Sequence, residues 1–146
     1  MSRSTGPRAR EVRSTSSAAA AASAEAVPPS EELPGYSERL FEYHRAHPEA
    51  LRLVMWEALE IGDGPVPADQ ERTAHYGDQV TAAQAGEPDA DARTRVFLTL
   101  ALASWSVAMP QLRRMVLGPD FDMDQLRQEI ARAVAALPAE GSSSGH

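Results

Sequence analysis

The chain has no cysteine in its 146 residues. That excludes thiol nucleophiles, disulfide staples and thiolate metal sites together, and it is what a reducing cytoplasm permits. Lysine is absent too, so all fourteen basic residues are arginine. A phosphate loop needs its lysine and so does a Schiff-base enzyme, and neither is available. Long apolar runs are also missing: the longest, Val96 to Met109, is interrupted by Thr99, Ser104 and Ser106 and falls short of the roughly 18 residues of a membrane helix. Positive charge is scarce in the main part of the chain, where residues 36–146 carry ten Arg against seventeen Asp and Glu, within a net charge of −7. Such a domain does not hold a phosphate backbone by bulk charge. Arg3, Arg8, Arg10 and Arg13 lack interleaved aromatics and read as a solvated tail rather than a nucleic-acid arm. The expectation is a soluble cytoplasmic protein without a membrane partner.

A chain of this length buries a core without disulfides or metal. Residues 1–33 are Ser, Ala, Arg, Pro and Glu with almost no large apolar side chain, so they are expected to be disordered, because little surface is available to offset ordering entropy. The alanine stretch makes a feeble signal-peptide core. Residues 34–138 read as one helical domain, and residues 139–146, ending GSSSGH, as a flexible tail.

Within that domain the periodicity predicts an all-α fold of five main helices, with a short sixth over Gln111 to Leu117, and no strand or hairpin. Tyr36, Leu40, Phe41, Tyr43 and His44 form one amphipathic stretch. Leu51, Val54, Met55, Ala58 and Leu59 form the next. Pro48 suits the first position of the second helix, so the chain bends between two helices there. Gly62, Gly64, Pro65 and Pro67 make a loop. A polar helix from about Ala68 to Ala85 stops at Gly86. Asp89 or Asp91 caps a helix running to Met109 that is apolar on nearly every side, hence buried centrally or covered by another subunit. Asp122 as N-cap, Gln125 as capping-box partner and Phe121 stapled on Leu126 open the last helix, whose stripe is Leu126, Ile130, Ala133, Val134 and Leu137.

The segments YSERLFEYHRAHPEALRLVMWEALE, AAQAGEPDAD, LALASWSVAMPQL and GPDFDMDQLRQEIARAVAAL together resemble the C-terminal regulatory domain of TetR-family transcriptional regulators, over residues 34–138. The resemblance implies an all-α domain whose last two long helices pair with those of a second subunit, and whose earlier helices enclose a ligand pocket. Family members begin with a three-helix domain containing a helix-turn-helix, and residues 1–33 show no apolar pattern for one. The resemblance therefore implies a regulator domain that reaches DNA only through a missing N-terminal part. Its alternative is a stand-alone module that heterodimerises with an intact regulator.

With that frame, the pocket is expected at Met55, Trp56 and Leu59, at Tyr76 and Val80, and at Phe97, Leu100 and Ala101, with polar anchors such as Tyr43 and His44, for a small apolar or amphipathic effector. Plain core is the other reading of such stripes. The homodimer face is expected at Trp105, Met109, Leu126, Ile130, Val134 and Leu137, with Trp105 as anchor. His44 with His47, and Glu71 with His75, lack the thiols or HExxH arrangement of a metal site. Glu57 with Glu60, and Asp89 with Asp91, read as surface acids and caps rather than a catalytic pair, with Glu57 matched to an arginine such as Arg93 or Arg95. No catalytic residue, cofactor or metal is expected.

Overall fold

The computed structural model describes residues 7–84 and 89–138. Among them are seven helices and no strand: α1 (Pro7–Ala26), α2 (Leu33–Ala46), α3 (Pro48–Ile61), α4 (Asp69–Gln84), α5 (Asp89–Ala108), α6 (Pro110–Leu117) and α7 (Met123–Ala135). Elements 2 to 7 reproduce the helices expected from periodicity, including the short one after Pro110. The stop at Gly86 and the tail after Pro138 lie outside the described residues.

The helix boundaries have local causes. Glu32 caps α2 by accepting from the Gly35 N–H at 3.2 Å, and a Cβ at Gly35 would collide with that carboxylate. The two sharp bends use one device twice. His47 (φ −128°, ψ 59°) and Met109 (φ −120°, ψ 65°) each close one helix and precede the proline that starts the next. The residue before proline is driven out of the helical region, while proline itself is preformed for a first helical turn. His47 occupies the cap position of α3 without a side-chain cap bond. Gly62 ends α3 at φ 67°, a conformation that costs glycine nothing and L side chains much more. Asp122 caps α7, accepting from the Asp124 N–H at 2.9 Å.

The core gathers on α2. Tyr36, Leu40 and Phe41 meet Val96 and Ala103 of α5, Val80 and Ala83 of α4, and Ile130 and Val134 of α7 in one buried cluster. Beside this seam Arg127 pairs with Glu42 at 3.0 Å and Arg45 with Asp124 at 2.9 Å. The second pair is exposed and the first half-exposed, and each contributes no more than about 1 kcal/mol; the apolar seam holds the helices together.

Two expectations are corrected here. The first segment is not unstructured throughout, since residues 7–26 form α1, packed along α3. Alanine has the highest helix propensity, and small side chains let two helix backbones approach closely, so large apolar residues are not needed. The second concerns α7. Ile130 and Val134 are buried in their own chain's core, and Leu126 and Leu137 pack against it. The stripe assigned to a second subunit is taken up by α2, because it is the only apolar stripe α7 has to offer.

Candidate functional site

A cavity of about 130 Å³ lies where α1, α2, α3, α4 and α5 converge. α1 covers it with Ala19, Ala20, Ser23 and Ala24, and Val27 follows at its end. α2 supplies Tyr36, Leu40, Tyr43 and His44, α3 supplies Ala50, Leu51 and Val54, α4 supplies Arg72, His75 and Tyr76, and α5 supplies Leu100 and Ser104. Apolar walls with a few convergent polar groups are the usual make-up of a small-molecule site.

His44 is 8% exposed. Its Nε2 lies 3.1 Å from Ser104 Oγ across the α2–α5 contact, and its Nδ1 is buried with no hydrogen-bond partner among the described residues. Burial penalises the imidazolium and lowers the pKa from the usual 6.5 to about 4, so the ring is neutral near pH 7, with one nitrogen donating and the other accepting. Tyr36 is pushed up to about 12, first by burial and then by Tyr76; it is an un-ionised phenol. Tyr43 stacks on His47, ring centroids 4.5 Å apart.

Next to the cavity Glu57, buried on α3, accepts from Ser16 Oγ of α1 at 2.6 Å and from Arg72 Nη1 of α4 at 2.7 Å. A buried carboxylate persists only with such partners. Its partner is therefore Arg72 rather than Arg93 or Arg95. Ser17 Oγ donates to Pro67 O at 3.3 Å. Beyond the helix end, Gln79 clamps Ser30, accepting from its N–H at 2.9 Å and donating to its carbonyl at 2.7 Å. Polar contacts thus fix α1 at its middle and the segment behind it.

Of the expected pocket residues, Tyr43, His44, Tyr76 and Leu100 line this cavity, while Val80 sits in the core cluster. Met55 is half-buried. Trp56 faces outward, beside a separate cleft of about 210 Å³ shared with Arg8, Val12, Arg13, Glu57, Glu60 and Ile61. Leu59 is 85% exposed, Phe97 is 69% exposed and Ala101 lies on the same outer side of α5. These four do not reach the cavity. The reason on α3 is register: its inward face is Ala50, Leu51, Val54 and Glu57, and a buried acid turns that face away from where apolar residues alone would place it. Sequence reasoning also missed the α1 contribution. Its signal is Ser16, Ala19, Ala20, Ser23, Ala24 and Val27, small residues recurring at i, i+3, i+4, i+7, i+8 and i+11, which is helical spacing.

Outside the cavity, α5 presents Phe97, Leu98, Leu102 and Trp105 to solvent, and α6 adds Leu112, Met115, Val116 and Leu117. Trp105 is 53% exposed, and Met115 and Val116 are each 72% exposed. No charged residue interrupts α5 from Val96 to Ala108. The described residues hold no cluster of three His, Asp or Glu that could bind a metal, and no helix among them is long and apolar enough to cross a membrane.

Residues 32–136 match the family described as tetracyclin repressor-like, C-terminal domain. The chain is also 39% identical over 114 residues to the HTH-type transcriptional repressor SCO4008 of Streptomyces coelicolor, an alignment covering 73% of this chain and 59% of that protein. The chain thus spans about three fifths of the length of the curated relative it matches.

Proposed function

This chain belongs to the tetracyclin repressor-like C-terminal domain family, and from that premise we propose that residues 34–138 are the effector-binding and dimerisation part of a cytoplasmic transcriptional regulator. The small-molecule effector enters the cavity under α1. Two copies pair through the outer face of α5, continued by α6, rather than through the α7 stripe. Residues 7–26 are one continuous helix, so DNA is contacted by a part that is not among the described residues.

The observation that carries this reading is the outer face of α5. Four large apolar side chains stand there without an intervening charge. Charge depletion with aromatic enrichment marks the centre of an interface, and contiguous apolar patches of this kind are uncommon on a monomer. Sedimentation of the purified chain tests it: a two-chain particle is expected at micromolar concentration, and Leu98→Asp is expected to yield single chains of unchanged helicity. Wild-type chain that stays folded and single at that concentration would refute the pairing. Preferential formation of mixed particles with an intact relative would instead support the heterodimerising module.

A further inference from the structure

A second hollow lies apart from the cavity under α1, between the N-terminal half of α1 and the C-terminal end of α3, with a volume of about 210 Å³. Val12 of α1 and Trp56 and Ile61 of α3 give it apolar walls. It is larger than the roughly 150 Å³ that holds one benzene ring, and has room for a flat pair of fused rings. Trp56 leaves about half of its surface to solvent, and an indole in that position offers a face on which another aromatic ring stacks. Apolar walls with a few charged groups at their edge are what a small-molecule site requires.

Four charged residues share these walls, and their charges do not cancel. Glu57 is fully engaged, one carboxylate oxygen accepting from Arg72 at 2.7 Å and the other from Ser16 at 2.6 Å. Glu60 carries the one negative charge that remains. Arg8 and Arg13 carry two positive ones, and among the described residues neither guanidinium has an ion-pair or hydrogen-bond partner. In a chain of net charge −7, this hollow holds an excess of the opposite sign. A guanidinium fork matches the two oxygens of a carboxylate, and its long stem lies along apolar surface while the charged head stays in water. An ammonium group here would meet one carboxylate and two repelling cations.

We propose that this hollow is a second small-molecule site, which takes a planar aromatic carboxylate of about two fused rings. The rings lie among Val12, Trp56 and Ile61, and the carboxylate pairs with Arg8 and Arg13. The site is separate from the cavity under α1 and does not rest on the effector reading of that cavity.

2-Naphthoate, 2-naphthalenemethanol and 2-naphthylmethylammonium make the test, sharing one ring system and differing in charge. Binding to the full chain is followed by NMR, through the methyl groups of Val12 and Ile61 and the indole N–H of Trp56. Naphthoate is expected to move these three signals while the methyls of Ala20 and Leu100, in the other cavity, stay in place. At low salt it is expected to bind about fivefold more tightly than the alcohol, and the preference should shrink as salt is added, because Arg8 and Arg13 are exposed. Arg8→Gln with Arg13→Gln is expected to bring the naphthoate-to-alcohol ratio close to one. Glu60→Gln is expected to raise that ratio, and Trp56→Leu to weaken all three probes alike. The alcohol binding as tightly as naphthoate, or the ammonium binding best, would overturn the ligand class. No shift at Val12, Trp56 and Ile61 with any probe, or shifts confined to Ala20 and Leu100, would overturn the site itself, and neither result bears on whether the cavity under α1 takes an effector.

Discussion

α5 turns Ala92, Val96, Thr99 and Ala103 toward the core of its own chain and Phe97, Leu98, Leu102 and Trp105 toward solvent. Both faces follow helical spacing, yet the smaller side chains lie inside and the larger ones outside. A helix that served only its own chain would be built the other way, because each large apolar side chain contributes about 1.5–3 kcal/mol on full burial. The small inner residues have their own purpose: they let α2 and α4 lie close to α5, with Thr99 returning its hydroxyl to Arg95 O at 2.7 Å. Burial therefore distinguishes two faces, one completed within the chain and one left open to solvent, which the proposed pairing would turn into a second core.

Breaking the inner core has the largest expected effect. Phe41 is fully buried at the centre of α2, and Phe41→Ala is expected to destabilise the fold by about 3–5 kcal/mol, read as a lowered midpoint in urea with helicity as the probe. A smaller inner effect is set by pH. His44 titrates at about 4 in the folded chain against the usual 6.5 of a solvated imidazole. Above pH 6.5 both states leave it neutral and it exerts no pH effect. As pH falls from about 6.5 towards 4, the unfolded chain takes up the proton and the folded chain does not, so stability drops, by roughly 3 kcal/mol in full, and levels off below the folded pKa. The difference in urea stability between wild type and His44→Gln, measured from pH 7 to pH 4, isolates this loss from that of the carboxylates. A flat difference would show that the ring is solvated.

The outer core is expected to respond in association rather than in folding. Trp105→Ala should weaken pairing by about 2 kcal/mol, roughly 30-fold in Kd, measured by dilution in the ultracentrifuge. Unfolding of the isolated chain should change by less than about 0.5 kcal/mol, as for surface substitutions in general. An equal loss in both measurements would erase the distinction between the faces.

Much of this was readable from residue order, and the failures share a cause. Pro48, Pro110, Gly62 and Asp122 announced their helix ends because a single residue's backbone chemistry decides each of them. Tyr43, His44, Tyr76 and Leu100 were identifiable as cavity candidates from stripe position only with the family resemblance beside it, since plain core is the other reading of the same stripes. What went astray was the direction in which each apolar stripe faces. On α7 one stripe fits an inner or an outer partner equally well, and only the placement of α2 decides. On α3 the inward face holds Glu57, whose burial depends on Ser16 and Arg72, respectively 41 positions before and 15 after it. No local pattern encodes a partner that distant. α1 is invisible to any reading that measures order by large apolar residues, because its contact runs on alanine and on serine hydroxyls, that of Ser16 above all.

That hydroxyl gives the gentlest test of where the inner core ends. Ser16 is fully buried, and its bond to Glu57 is the shortest contact α1 makes with the body of the chain. Ser16→Ala keeps helix propensity or raises it, so any loss reports the contact rather than the helix. A hydrogen bond to a charged acceptor contributes about 1.5–3 kcal/mol, but Arg72 still holds the other carboxylate oxygen, and the lower end, about 1.5 kcal/mol, is expected. The loss should be local: faster amide exchange over residues 12–24, with protection in α2 and α7 unchanged. If α1 amides exchanged as slowly as before, its alanine stripe would be holding it unaided, and the inner core would extend over α1 in its own right. If α2 and α7 loosened together with α1, the boundary between a small-residue cover and the apolar centre would not exist.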